Sequence, residues 1–105
     1  MNSREKGARF EREIANRLKE YGYDTRRGQQ YCGVNGDADV VGLPGVHLEC
    51  KHVEKLNIHD AMQQSIVDAR EGELPVVIFK KNRKRTLVAL TFEDFMELYE
   101  EAKGK

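Results

Sequence analysis

The stretch that most limits what this chain can build is "LPVVIFK", residues 74 to 80. It is apolar almost without interruption. A strand that is apolar on both of its sides must be covered on both, so it belongs inside a sheet with helices packed against it. Helical periodicity supplies the covers. Residues 4 to 21 place Phe10, Ile14, Leu18 and Tyr21 at spacings of four, four and three, and Gly22 suits a helix terminus. Residues 56 to 71, "LNIHDAMQQSIVDARE", start on a potential cap, Asn57, with Ile58, Ala61, Met62, Ile66 and Ala69 as the apolar stripe. Thr91 caps a last helix with Phe92, Phe95, Met96 and Tyr99 on its inner side.

Between the helices lie further strands. "YDTRRG" reads as a short one and "QQYCGVNG" as an irregular loop. "DADVVGL" and residues 46 to 52 form a hairpin around the turn signal Pro44-Gly45. After "LPVVIFK", the charged run "KKNRKR" is a solvated hairpin turn leading into "RTLVALT". The expected order is α-β-β-β-α-β-β-α: a mixed central sheet flanked by helices, in a single domain over residues 1 to 105.

Bulk properties exclude several classes. Of 105 residues, 39% are hydrophobic and 34% charged, a globular balance with no apolar run of membrane-spanning length. The charged start is no secretory signal, and Cys32 and Cys50 are too few for a disulfide framework, so the chain is expected in the cytoplasm. Eighteen basic residues balance eighteen acidic ones, so any attraction for nucleic acid must be local.

In "VHLECKH", residues 46 to 52, alternation sends Val46, Leu48 and Cys50 to one side and His47, Glu49 and Lys51 to the other. Glu49 and Lys51 then stand about 6 to 7 Å apart on one face. Asp39 opens the neighbouring strand. Two carboxylates on adjacent strands can share one hard cation, with the lysine beside it facing a phosphate. The spacing itself is cheap, because "EAK" at residues 101 to 103 repeats it in a helical tail. Glu11 borders the first helix's apolar stripe, among other glutamates such as Glu13 and Glu20, and the second helix carries adjacent Gln63 and Gln64. Histidines such as His47 and His52 on such a strand serve as hydrogen-bonded neighbours rather than catalysts.

The order "KGARFEREIANRLKEYGYDTRR", "DADVVG", "LECK" resembles the PD-(D/E)XK nuclease superfamily, with archaeal-type Holliday junction resolvases and phage relatives closest in pattern. The likeness runs through residues 4 to 90. It implies a restriction-endonuclease-like core and a Mg²⁺- or Mn²⁺-dependent phosphodiesterase. The family's residues fall on Glu11, Asp39, Glu49 and Lys51, with the Cys50 carbonyl as a further metal ligand. Gln64 matches a helical glutamine, with Gln63 the rival, and Asp37 competes with Asp39. Ala38 stands where the superfamily has proline, and only Tyr31 offers a hydroxyl in the loop before the aspartate. DNA phosphates would be gripped by Lys6, Arg9, Arg26 and Arg27. A four-way junction as substrate implies a homodimer, for which Leu87, Val88, Phe92, Phe95 and Leu98 are surface candidates if they are not core. Alternatives are a nuclease of flaps, nicks or duplex, a non-catalytic DNA-binding module of the same fold, and a small interaction domain.

Overall fold

The computed structural model describes residues 2 to 29 and 38 to 104. The elements follow in the order α1 (Ser3–Lys19), β1 (Arg26–Arg27), β2 (Val40–Val41), β3 (Val46–His52), α2 (Ile58–Asp68), β4 (Leu74–Lys80), β5 (Leu87–Ala89) and α3 (Phe92–Ala102). This is the expected order. The strands form one sheet in the order β1-β2-β3-β4-β5, parallel between β3 and β4 and antiparallel elsewhere. The β3–α2–β4 crossover supplies the parallel pair, since parallel neighbours need a long connection.

Caps end the helices where the sequence places them. The Asn57 side chain accepts from Asp60 N and that of Thr91 from Asp94 N, both at 3.1 Å. Helix α1 begins one residue earlier than expected, with Asn2 as its cap accepting from Glu5 N. The core lies under α1, where Phe10, Ile14 and Ala15 meet Val40, Leu48, Cys50, Val76 and Ile78. The Thr25 hydroxyl, fully buried, donates to the Ala15 carbonyl at 2.6 Å and ties β1 to the helix.

Three expectations about faces need correction. Tyr21 lies beyond the end of α1 and is exposed, so Leu18 is the last residue of that stripe to pack on the core. In α2 the buried positions are Ala61 and Ser65, while Ile66 points outward. Ser65 is tolerated inside because its hydroxyl donates to the Val76 carbonyl at 3.1 Å. Its small side chain lets α2 sit close over the β3–β4 pair. In α3 no residue is buried, and the face carrying Phe92, Phe95 and Tyr99 is open rather than inward.

Gly42 fixes the corner after β2. Its φ of +106° is open to glycine alone, and a Cβ there would lie 2.2 Å from the Asp24 carbonyl oxygen. Gly45, in the β2–β3 turn, also has positive φ but open space around it. Gly42→Ala is therefore expected to cost about 3 kcal/mol or more and Gly45→Ala about 1 kcal/mol, read by chemical denaturation. Equal costs at the two positions would show that close packing of the Asp24 backbone does not hold this corner.

Candidate active site

The β2–β3 ladder is brief. Val40 pairs with Leu48, and Asp39 N donates to the Leu48 carbonyl at 3.0 Å. At the next step a side chain replaces the backbone: Cys50 N donates to Asp39 Oδ2 at 2.8 Å. The strands part there, and Asp39 stands in the opening. A strand residue's N–H and carbonyl leave on the same side, so the Cys50 carbonyl also faces Asp39's strand. The Cys50 side chain is buried under α1, and burial pushes its thiol pKa up, which leaves it an inert packing group.

Glu49 lies on the opposite face from Cys50, under α2. Sharing the polar side of the strand does not leave Glu49 and His47 solvated. Glu49 is 5% exposed and His47 4%. A buried carboxylate requires partners. His47 Nε2 lies 2.7 Å from Glu49 Oε1, and Glu73 lies 3.9 Å from His47 Nδ1. Burial alone would raise the Glu49 pKa; hydrogen bonds from His47 and Asp39, with the charges of His47 and Lys51, outweigh it and hold Glu49 below the usual value. The same contact with Glu49 raises His47 above its usual value, against its own burial.

Asp39 is pushed the other way, to about 7, by burial first and then by the Glu49 charge. The Cys50 N–H opposes this rise, while Glu11 and a hydrogen bond to Glu49 add to it. Asp39 and Glu49 therefore behave as a pair sharing one proton. Glu11 reaches the same region from α1, largely buried, with its Oε1 accepting from Arg27 Nε at 2.9 Å. Asp39 and Glu49 thus share a hydrogen bond at the β2–β3 opening, and Glu11 is near enough for its charge to raise Asp39 further. The donor set is hard oxygen, which fits Mg²⁺ or Mn²⁺. Among the described residues, the one grouping of three histidine, cysteine or carboxylate side chains whose ligand atoms all lie within 4.8 Å of one another is His47, Glu49 and Asp68. His47 already engages one Glu49 oxygen, so that grouping acts first as support for Glu49.

Lys51 is on the Glu49 face, half-buried, with Nζ 3.5 Å from Gln64 Oε1, the outer limit of a hydrogen bond. That contact involves Gln64 and not Gln63. His52 is a neighbour of another kind, packing on the Phe10 ring and bonding Asn82 at 2.9 Å. The expected phosphate-binding residues are split among different places. Lys6 pairs with Glu54 at 3.7 Å, Arg9 is exposed on α1, and Arg27 is committed to Glu11. Arg26 and Arg27 share a shallow hollow with Arg12 and Lys19. Arg12 and Lys19 were not among the expected phosphate-binding residues, although their seven-residue spacing puts them on one helical face. Asp37, Tyr31 and Cys32 lie outside the described residues.

The chain matches the family model described as "Phage putative PDDEXK endonuclease" over residues 2–105. The chain belongs to this PDDEXK endonuclease family. Among solved structures it is similar to Archaeoglobus fulgidus Hjc, a Holliday junction resolvase from an archaeal hyperthermophile, at 25% identity and a TM-score of 0.60. The similarity covers 80% of this chain and 76% of that one. No curated protein matches. The core is thus that of a PD-(D/E)XK nuclease, a metal-dependent class.

The Asp39 shift has a stability consequence. The native state holds a proton that the unfolded chain, with its ordinary value near 3.8, releases. Stability from this group is full below about pH 4 and is lost as pH rises towards 7. At pH 8 and without metal, Asp39→Asn should therefore melt higher than wild type. Mn²⁺ should raise the wild-type midpoint and leave the variant nearly unmoved. A variant that melts lower at pH 8, or gains as much from Mn²⁺, would contradict this electrostatic picture.

Proposed function

We propose that this PDDEXK endonuclease is a divalent-metal-dependent deoxyribonuclease that hydrolyses phosphodiesters in branched DNA, the four-way junction foremost, as a homodimer. The observation that carries the reading is the hydrogen-bonded pair of Asp39 and Glu49 at the β2–β3 opening, with the Glu11 charge nearby and Lys51 on the same strand as Glu49. Asp39 and Glu49 would hold Mg²⁺ or Mn²⁺, with the Cys50 carbonyl and Glu11 completing the shell. The cation, when bound, supplies polarisation of the phosphoryl oxygen and a lowered pKa for the attacking water.

The chain's own residues set the geometry. His47 holds Glu49 ionised and fixes one of its oxygens. Arg27 holds the Glu11 carboxylate in place. Asp39 would give up its proton where a cation takes that proton's place. Lys51, steadied by Gln64, positions the water and meets the charge that grows on the phosphate. Arg9 and Arg26, with Arg12 and Lys19 beside Arg26, grip flanking phosphates without regard to sequence. Lys6 belongs to the same basic surface through its exchangeable pairing with Glu54.

The junction enters from the likeness to a Holliday junction resolvase. Two strands of a four-way junction are cut symmetrically, which suits two sites related by a two-fold axis. The family description, which names an endonuclease and no junction, favours a second reading: a stand-alone phage nuclease acting on flaps, nicks or duplex.

One assay separates these. Purified protein with Mg²⁺ is offered labelled four-way junction, flap and linear duplex. Wild type should cut the junction fastest, and Asp39→Asn and Lys51→Ala should each lose roughly 10²-fold or more in rate. Cleavage of flaps or duplex with junctions spared would replace the junction reading by the second. Failure to cut any of them would remove the nuclease reading.

A further inference from the structure

Two surface features remain outside the nuclease machinery, and they are complementary. The first is α3. Its outward face carries Phe92, Phe95 and Tyr99, which are 72%, 50% and 49% exposed. Phe95 and Tyr99 stack on each other at 6.4 Å between centroids. Two acidic residues, Glu93 and Glu100, border that face, while Asp94, Glu97 and Glu101 lie on the other side of the helix and line a hollow with Pro44 and Pro75. On a helix, Glu93 and Glu100 lie two turns apart and flank the aromatic stripe on one side.

The second is a groove of about 630 Å³ at the far end of β4. Val53, Leu56, Ile58, Phe79 and Leu87 floor it. Lys55, Lys80, Lys81, Lys84 and Arg85 rim it, and Glu54 is the one acid among its lining residues. Glu54 is already engaged, accepting from Asn82 N at 2.8 Å and pairing with Lys6. The rim is therefore strongly positive.

The helix cannot reach its own groove. It starts after Leu90 and Thr91 and shares a cavity with Gly72, Pro75 and Pro44, at the beginning of β4. The groove sits beside Phe79 and Lys80, at the end of β4. The length of β4 separates the two places, about 20 Å. Between them runs β5, the free edge of the sheet, with Leu87 and Val88 half-exposed. A two-fold axis beside that edge exchanges the two ends. It carries each copy's helix to the other copy's groove, an isologous contact used twice.

We propose that the acidic, aromatic face of α3 docks into the basic-rimmed apolar groove of a second copy of this chain. The occupant is argued from charge and shape together: an amphipathic helix in an apolar groove, with acids meeting a cationic rim. DNA would satisfy the rim alone. It would not cover the aromatic face of α3, whose acids repel phosphate. The proposal deepens the homodimer reading above by naming its contact surface, and it makes the "KKNRKR" turn an assembly element rather than a phosphate grip.

The test is sedimentation velocity on the full chain without metal or DNA, so that its outcome is independent of whether the protein cleaves anything. Wild type should be a dimer that weakens as salt is raised. Glu93→Lys with Glu100→Lys should be monomeric, and so should Lys84→Glu with Arg85→Glu. An equimolar mixture of the two double variants should recover a dimer, because each mismatch is corrected in the mixed pair. Independently of any substitution, amide exchange along α3 in wild type should slow as concentration rises through the dimer transition. A monomeric wild type, a dimer indifferent to both pairs of reversals, or α3 amides unprotected in the dimer would overturn the proposal. So would groove reversals that abolish junction binding while the dimer persists, which would make the groove a DNA site.

Discussion

The hydrogen bond from Cys50 N to Asp39 Oδ2 organises this protein. Backbone pairing between β2 and β3 would ordinarily continue past Val40 and Leu48. Instead a carboxylate accepts the next amide, so the strands separate without leaving a buried donor unpaired. The opening that results admits Glu49 from one side of the sheet and Glu11 from the other. Gly42 and Thr25 serve this arrangement from a distance. The close approach at Gly42 sets the path of β2 beside Asp24, and the Thr25 hydroxyl fastens the adjoining strand to α1.

That opening concentrates negative charge in a poorly solvated place. Each carboxylate is managed separately: Glu49 by His47, Glu11 by Arg27, and Asp39 by retaining its proton to about pH 7. The strain falls on Asp39, the residue with no cationic side chain among the causes of its shift. Burying mutually repelling carboxylates at the expense of stability is a common compromise between stability and function. Lys51, with Nζ 3.5 Å from Gln64 Oε1, adds its charge to the groups that hold Glu49 ionised.

Much of this was legible in the residues. The run at 74 to 80 and the alternation at 46 to 52 each mark a strand to the residue, and Asn57 and Thr91 cap the helices they were expected to cap. What stayed hidden depends on tertiary contact. Nothing local says that His47 and Glu49 are buried, because their alternation matches a solvated face until α2 covers it. Ser65 in place of Ile66 follows from the closeness of α2 to the sheet, which a hydrophobicity pattern cannot express. The aromatic face of α3 has core-like periodicity, yet the core it would need lies on no described part of the same chain. Arg27 was expected at phosphate and is bonded to Glu11, a pairing across sixteen residues that spacing does not encode.

If Asp39 exchanges a proton for a cation beside Glu49, as proposed above, then metal binding must release that proton. Titrating Mn²⁺ calorimetrically in buffers of different ionisation enthalpy counts the protons released. Release should approach one proton near pH 6 and decline towards none at about pH 8.5, and Asp39→Asn should show no such release. Binding with no proton released at pH 6, or with the same release from Asp39→Asn, would contradict the exchange.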